Sequence, residues 1–170
     1  KRTISIKLIT AKDQASQLAL LRDSFLAACN AIVPFAIEHR CWNRVALHNF
    51  AYSNIRASSP LGSQMVCNAI FAVCKAYRAK AISQDEPVPM IQFRKTRSVH
   101  FDKRTYSIKG HILSLYTLQG RVRVEMRIGE FQQRLLALGI PKEAELTCMK
   151  GQWDWKLVLE LPDPPCSEQT

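Results

Sequence analysis

Over residues 1–9, KRTISIKLI, apolar side chains fall on alternate positions: Ile4, Ile6 and Leu8 point one way, Ser5 and Lys7 the other. That alternation is the mark of a half-buried strand. The period then changes, because Leu18, Leu21, Phe25, Ala28, Ile32 and Phe35 recur at spacings of three and four. This predicts a helix to about residue 38, with Thr10 and Asp13 as its N-terminal cap and Pro34 as a kink. A second helix is expected over residues 42–55, with Val45, Phe50 and Tyr52 among its packing side chains. ASSPLG breaks it, and Pro60 stands as the first position of a third helix. In SQMVCNAIFAVCKAYRAK, residues 63–80, Val66, Ala69, Ile70, Val73 and Tyr77 form one apolar stripe. Gln64, Asn68, Phe71, Lys75 and Arg78 share the opposite face, and no acid occurs from Leu61 to Gln84.

From SQDEPVPM onward the pattern becomes strand-like again. Val122, Val124 and Met126 alternate with Arg121, Arg123, Glu125 and Arg127, and similar alternation runs through HILSLYTL, AELTCMK and WDWKLVLEL. In the last of these Trp153, Trp155, Leu157, Leu159 and Leu161 share a face. FDKR, IKGH, LQGR and KGQW supply the turns, and one helix is expected from about Gly129 to Leu138, closed by Gly139 and Pro141. The expected fold class is therefore α+β: one strand, a helical insertion, then five or six strands with a short helix among them. Short strands with tight turns favour a small antiparallel β-barrel over an open sheet. The proline-rich tail LPDPPCSEQT reads as a linker.

The 170 residues are enough to bury a core in one domain or two small ones, and 47% hydrophobic content places the chain among globular proteins. The formal charge of +10 points to a polyanionic partner, most commonly nucleic acid. No run of 18 apolar residues suggests a bilayer span, and no signal or transit segment is apparent. Six cysteines occur without a CxxC pair, and four of them sit among apolar neighbours, which predicts buried free thiols in a reducing compartment. The chain starts at Lys1, which reads as a processed product or a piece of something larger.

Catalysis finds little support. No phosphate loop or GxSxG motif is present, and Glu38, His39 and Cys41 are too close along one helix to converge. Metal ligands are expected to be absent, since His39 with Cys41 is the closest His/Cys pair. The charge pattern is more informative. Between Ile91 and Arg127 lie Arg94, Lys95, Arg97, Lys103, Arg104, Lys109, Arg121, Arg123 and Arg127, against only Asp102 and Glu125. Tyr106 and Trp153, near turns, are the candidate base-stacking rings, while Phe93 and Phe101 are assigned to the core side of their strands. On the third helix Gln64, Asn68 and Lys75 are placed to read base edges of a duplex. A basic barrel suits the shape and backbone of RNA, so two basic regions, and two nucleic acids, are expected.

Four stretches carry a family resemblance: KRTISIKLITAKDQASQLALLRDSFLAACNAI, NFAYSNIRASSPLGSQMVCNAIFAVCKAYRAK, GRVRVEMRIGEFQQRLL and EAELTCMKGQWDWKLVLELPDPP. In that order they resemble the N-terminal half of TnpB/OrfB-type transposon-encoded RNA-guided nucleases and the related type V CRISPR effectors. The resemblance implies a wedge barrel, similar to an oligonucleotide-binding fold, over residues 1–10 and 90–161. It implies a helical recognition insertion over 11–85, and a linker over 162–170 toward a RuvC-like nuclease domain that this chain lacks. It further implies that the chain is not by itself an enzyme, holds no cofactor, and leaves any divalent metal to the nuclease domain. The implied partners are guide RNA, target duplex DNA and the remainder of the nuclease, in prokaryotic cytoplasm or nucleoid and without a membrane. Arg44, Asn49, Arg56, Ser63, Gln64, Asn68 and Lys75 are then expected on target DNA. Arg94, Lys95, Arg97, Lys103, Arg104, Tyr106, Arg121, Arg123 and Trp153 are expected on guide RNA. Cys67 stands where relatives can carry a polar reader.

Two other readings fit the same charge: a general RNA-binding barrel with no duplex-DNA contact, and a basic scaffold for an acidic protein partner.

Overall fold

The computed structural model describes residues 1–162, so the linker read from 162–170 falls, Pro162 apart, outside the described residues, as does Cys166. The elements run β1 (Arg2–Ile9), α1 (Lys12–His39), α2 (Arg44–Ser58), α3 (Ser63–Ala79), β2 (Val99–Phe101), β3 (Tyr106–Lys109), β4 (Ile112–Thr117), β5 (Gly120–Arg127), α4 (Glu130–Leu138), β6 (Ile140–Met149) and β7 (Gln152–Glu160). All strand pairs are antiparallel, in the order β2-β6-β7-β1-β5-β4-β3. The alternating residues sort as their pattern demands. Ile4, Ile6 and Leu8, then Val122, Val124 and Met126, then Trp153, Trp155, Leu157 and Leu159 are all buried.

The sheet curls until it nearly closes. Trp155, on the third strand of the order, meets Phe101 of the first at 5.3 Å and Tyr106 of the seventh at 5.0 Å, both edge-on. One side chain reaches both end strands only if the sheet wraps round it. The ends are joined by the short turn Asp102–Thr105, in which the Thr105 amide donates to the Asp102 carbonyl at 3.0 Å and the Asp102 amide donates to Thr105 Oγ1 at 3.1 Å. The Tyr106 hydroxyl crosses the seam to the carbonyl of Lys142 in β6. At the β6–β7 hairpin Lys150 and Gly151 both take positive φ, as a type I′ two-residue turn requires.

The three long helices, standing between β1 and β2 in the chain, share one continuous core with the barrel. α1 runs unbroken through Pro34, which is exposed, so the carbonyl deprived of a donor lies on the solvent side. Its N-cap is Ala11 rather than Thr10 or Asp13, and Gln14 reaches back to accept from the Ala11 amide at 2.9 Å. α1 is long and apolar enough, by length and composition, to cross a membrane, a property that counting consecutive apolar residues did not show. Leu18, Leu21, Phe25, Ile32 and Val33 of this helix lie in the core.

α2 starts at Arg44 because Asn43 caps it, accepting from the Ala46 amide at 3.1 Å. Its buried stripe is Leu47, Ala51 and Ile55, spaced by four; Val45 and Phe50, expected to pack, are 71% and 45% exposed. α3 starts at Ser63, not Pro60, because Gly62 is extended (ψ 169°) and stands as the N-cap, its amide donating to the hydroxyl of Tyr116 from β4 at 2.8 Å. An added Cβ at Gly62 would stand 3.2 Å from that oxygen. The loop returning to the barrel is tied down by Asn30, whose amide side chain exchanges two hydrogen bonds with the Phe93 backbone, at 2.7 and 3.1 Å. Arg40 supports it further by donating to the carbonyls of Ser83, Gln84 and Glu86.

Candidate nucleic-acid interface

The face of α3 that looked free in sequence lies against the β2–β3 turn. Asp102 accepts from Gln64 Nε2 at 2.9 Å, from Asn68 Nδ2 at 3.1 Å and from Thr105 Oγ1 at 2.9 Å. A carboxylate only accepts, so both amides must present nitrogen to it. That orientation turns Gln64 Oε1 outward, where Arg104 Nη1 donates to it at 3.1 Å. The Arg104 backbone carbonyl in turn accepts from Arg121 Nη2 at 2.9 Å. Asn68, Asp102, Gln64 and Arg104 therefore form one chain of hydrogen bonds that ends in an exposed guanidinium.

Two expectations change here. Asn68 is only 4% exposed, with its amide spent on Asp102, so it positions the network and cannot meet a base edge as placed. Gln64 is half-buried and engaged at both ends of its amide. The signal missed was Asp102 itself: within FDKR it read as a turn residue, and nothing local showed that the turn packs on a helix more than 30 residues upstream.

Around this network is a cleft of about 380 Å³ lined by Arg44, Gln64, Asn68, Phe71, His100, Lys103, Arg104 and Lys142, among others. Arg44 lies over the Phe71 ring at 5.7 Å, and His100 stacks on the same ring at 4.3 Å. Lys103 and Lys142 sit close together: contact with Lys142 holds the Lys103 ammonium below its ordinary range, while Glu160, 3.0 Å from Lys142, raises Lys142. His100 is pushed below its ordinary value mainly by burial, against the opposing pull of Glu143 and Glu145. Burial likewise raises the thiol of Cys67 at the cleft wall, although Arg44 opposes the shift. Phe71 is common to this cleft and its two neighbours. One neighbour runs past Lys75, Arg97 and His100, the other past Arg44 and Arg78. Together they make a basic trough along α3.

The remaining residues fall in four places. Ser63 is exposed on the first turn of α3, and Lys75 pairs with Glu145 at 3.2 Å. Asn49 and Arg56, seven positions apart, share a face of α2 and line neither the cleft nor its two neighbours. Arg94 and Lys95 are exposed in the loop before β2, where Arg97 lies 4.9 Å above the Phe93 ring. Arg123 is on the outer barrel face, in a separate shallow depression with Ser107, Lys109, Ile112 and Ser114.

Tyr106 and Trp153, expected to stack on bases, are 5% and 3% exposed. Curvature of the sheet puts them inside the barrel although they stand near turns, and Trp153 is closed over by Arg22 at 5.4 Å. Phe93 and Phe101 are buried as expected. The helical and barrel cations do not form two regions throughout, since Arg44 shares one cleft with Lys103 and Arg104. Lys142 and His100 were not singled out from sequence as binding residues, whereas Phe71 was placed on the polar face of α3; only the tertiary packing brings the three together.

Among the described residues no group of three His, Cys, Asp or Glu side chains could hold a metal ion. No family model matches the chain, and no curated protein sequence matches it.

Proposed function

We propose that this chain is a non-catalytic nucleic-acid-binding module. On the family resemblance of its sequence, it is the guide-RNA-holding and target-DNA-reading half of an RNA-guided DNA endonuclease of the TnpB or type V CRISPR kind. The observation that carries the binding reading is the shared trough: Arg44 from a helix faces Lys103 and Arg104 from the barrel turn, with Lys142 beside them. Of the acids there, Asp102 is occupied by two amides and a hydroxyl and Glu145 by Lys75, while the exposed Glu143 also lines the cleft, where four cations still outnumber the two carboxylates. Such a surface favours phosphates, whose neutralisation releases counterions. In this reading Arg104 is the groove's oriented reader, Gln64 and Asn68 are positioning residues behind it, and the outer-face Arg123 serves a second backbone contact.

The test is to express the chain from its native locus, wash it at moderate salt and sequence the nucleic acid it retains. Enrichment of one structured RNA encoded beside the gene is the expected result. Mixed cellular RNA would reduce the reading to a generic RNA binder, and no nucleic acid at all would overturn it. In vitro, Arg44→Gln and Lys103→Gln should each make the salt dependence of binding shallower by about 0.7–0.9 in log–log slope.

A further inference from the structure

Beyond the cleft, where α1 ends and α2 begins, the trough widens into a concavity of about 970 Å³. Its walls carry Arg40, Arg44 and Arg78 with Trp42, Phe50 and Phe71, and they include no acid. We propose that this concavity is a stacking site for unpaired nucleotides of a single strand, with Phe50 as the base platform and Arg44 and Arg78 on the flanking phosphates. The proposal rests on the nucleic-acid reading of the adjoining cleft and specifies it further, because it names a single strand and not a duplex.

Phe50, 45% exposed on its helix, gains little by packing, yet its ring is held by His39, which lies parallel to it at 3.7 Å with 3° between the planes. The imidazole covers one face of the ring and fixes its tilt. The rest of the ring is exposed at the concavity wall. Stacking on a preset ring is how sequence-tolerant binders hold successive bases, and a duplex, whose base faces are already stacked, cannot use it.

The charges agree with this occupant. Arg40 is committed to three backbone carbonyls and shapes the wall. Arg44 and Arg78 form no ion pair among the described residues. Arg44 also borders the cleft that holds Lys103 and Arg104, so one phosphate backbone can pass from the cleft into the concavity without leaving positive potential. The volume is at the upper end of ordinary ligand pockets, of about 300–1,000 Å³, and has room for more than a single base.

The experiment uses the full chain and a fluorescent RNA of about 12 nucleotides, within the usual span of single-strand sites, beside a duplex of the same length. Phe50→Ala should weaken single-strand binding by about 5- to 100-fold and leave duplex binding unchanged, while Phe50→Trp should retain it. Arg78→Gln should weaken single-strand binding by a smaller factor. With 5-iodouridine in the strand, crosslinks should map to the peptide containing Trp42 or Phe50. Unchanged single-strand affinity in Phe50→Ala, or an equal loss on the duplex, would overturn the stacking site. If Lys103→Gln and Arg104→Gln still weaken binding in that case, the trough reading stands without it. If neither pair of changes matters, both readings fail. Displacement of the RNA by an acidic peptide at comparable affinity would also overturn it, since charge alone would then suffice. Thermal melts of each variant show whether it is folded.

Discussion

The side chain of Asn68, buried in α3, donates to Asp102 of the β2–β3 turn at 3.1 Å, joining two elements that lie 34 residues apart in the chain. Because Asp102 also fixes Gln64, and Gln64 fixes Arg104, one carboxylate couples the packing of helix on barrel to the aim of an exposed cation. Asp102→Ala makes this testable. It removes a negative charge from a basic trough, so a surface acting by charge alone would bind nucleic acid more tightly. The expected outcome is the reverse: a loss of about fivefold, equivalent to roughly one hydrogen bond, measured by fluorescence anisotropy at fixed salt.

Asn68→Ala and Gln64→Ala should separate stability from binding. Removing the buried Asn68 amide leaves Asp102 short of a donor and should lower unfolding free energy by about 1–3 kcal/mol in urea titrations. Gln64→Ala, at the cleft edge, should cost less than about 1 kcal/mol but reduce binding through Arg104. Equal stability losses would place Gln64 in the fold and not in the interface.

Tyr106→Phe tests the barrel seam. The hydroxyl that crosses to the Lys142 carbonyl is the polar link between the last strand of the order and β6. Its loss should cost about 0.5–1.5 kcal/mol, with faster amide exchange in β2 and β3 before the rest of the sheet. Uniform exchange across all strands would show that the seam opens only with global unfolding.

His100 should give the protein an acid-side weakness. Burial, reinforced by the Lys75 ammonium, holds its folded-state pKa below the ordinary 6.5 against the opposing pull of Glu143, Glu145 and Asp102. As pH falls, the unfolded chain takes up this proton first. The contribution is therefore intact above about pH 6.5 and is lost as pH falls toward the folded value. His100→Phe keeps a ring against Phe71 and should flatten that part of the pH–stability curve; an unchanged curve would assign the acid sensitivity elsewhere.

Local periodicity made most of the elements legible. Ile4, Ile6 and Leu8 follow a period of two, and Val66, Ala69, Ile70, Val73 and Tyr77 follow a helical stripe; all are buried. What stayed hidden depended on curvature or on distant packing. Tyr106 and Trp153 looked exposed near their turns until the sheet wrapped round them. Asn68 looked free because its partner comes from another element. Phe50 was assigned to the core by its apolar character, but the buried stripe of α2 is set by Leu47, Ala51 and Ile55. Helix ends were displaced for similar reasons: Gly62, the extended residue that precedes α3, donates its amide to a tyrosine of β4, which no pattern within residues 56–63 contains.

The placement of β1 has a consequence for how the chain reaches this state during synthesis. β1 is made first, yet it sits between β5 and β7, with Ile6 opposite Trp155 and Leu8 opposite Met126. At usual elongation rates its first partner emerges only after on the order of ten seconds. In that interval α1, α2 and α3 are already available to collapse on one another through local contacts, while a strand with two open edges waits beside them. The outward Lys7 and the adjacent Lys1 and Arg2 put charge along those edges. Charge on an unpaired strand deters pairing with the wrong chain, so these cations protect the nascent protein before they serve the finished one.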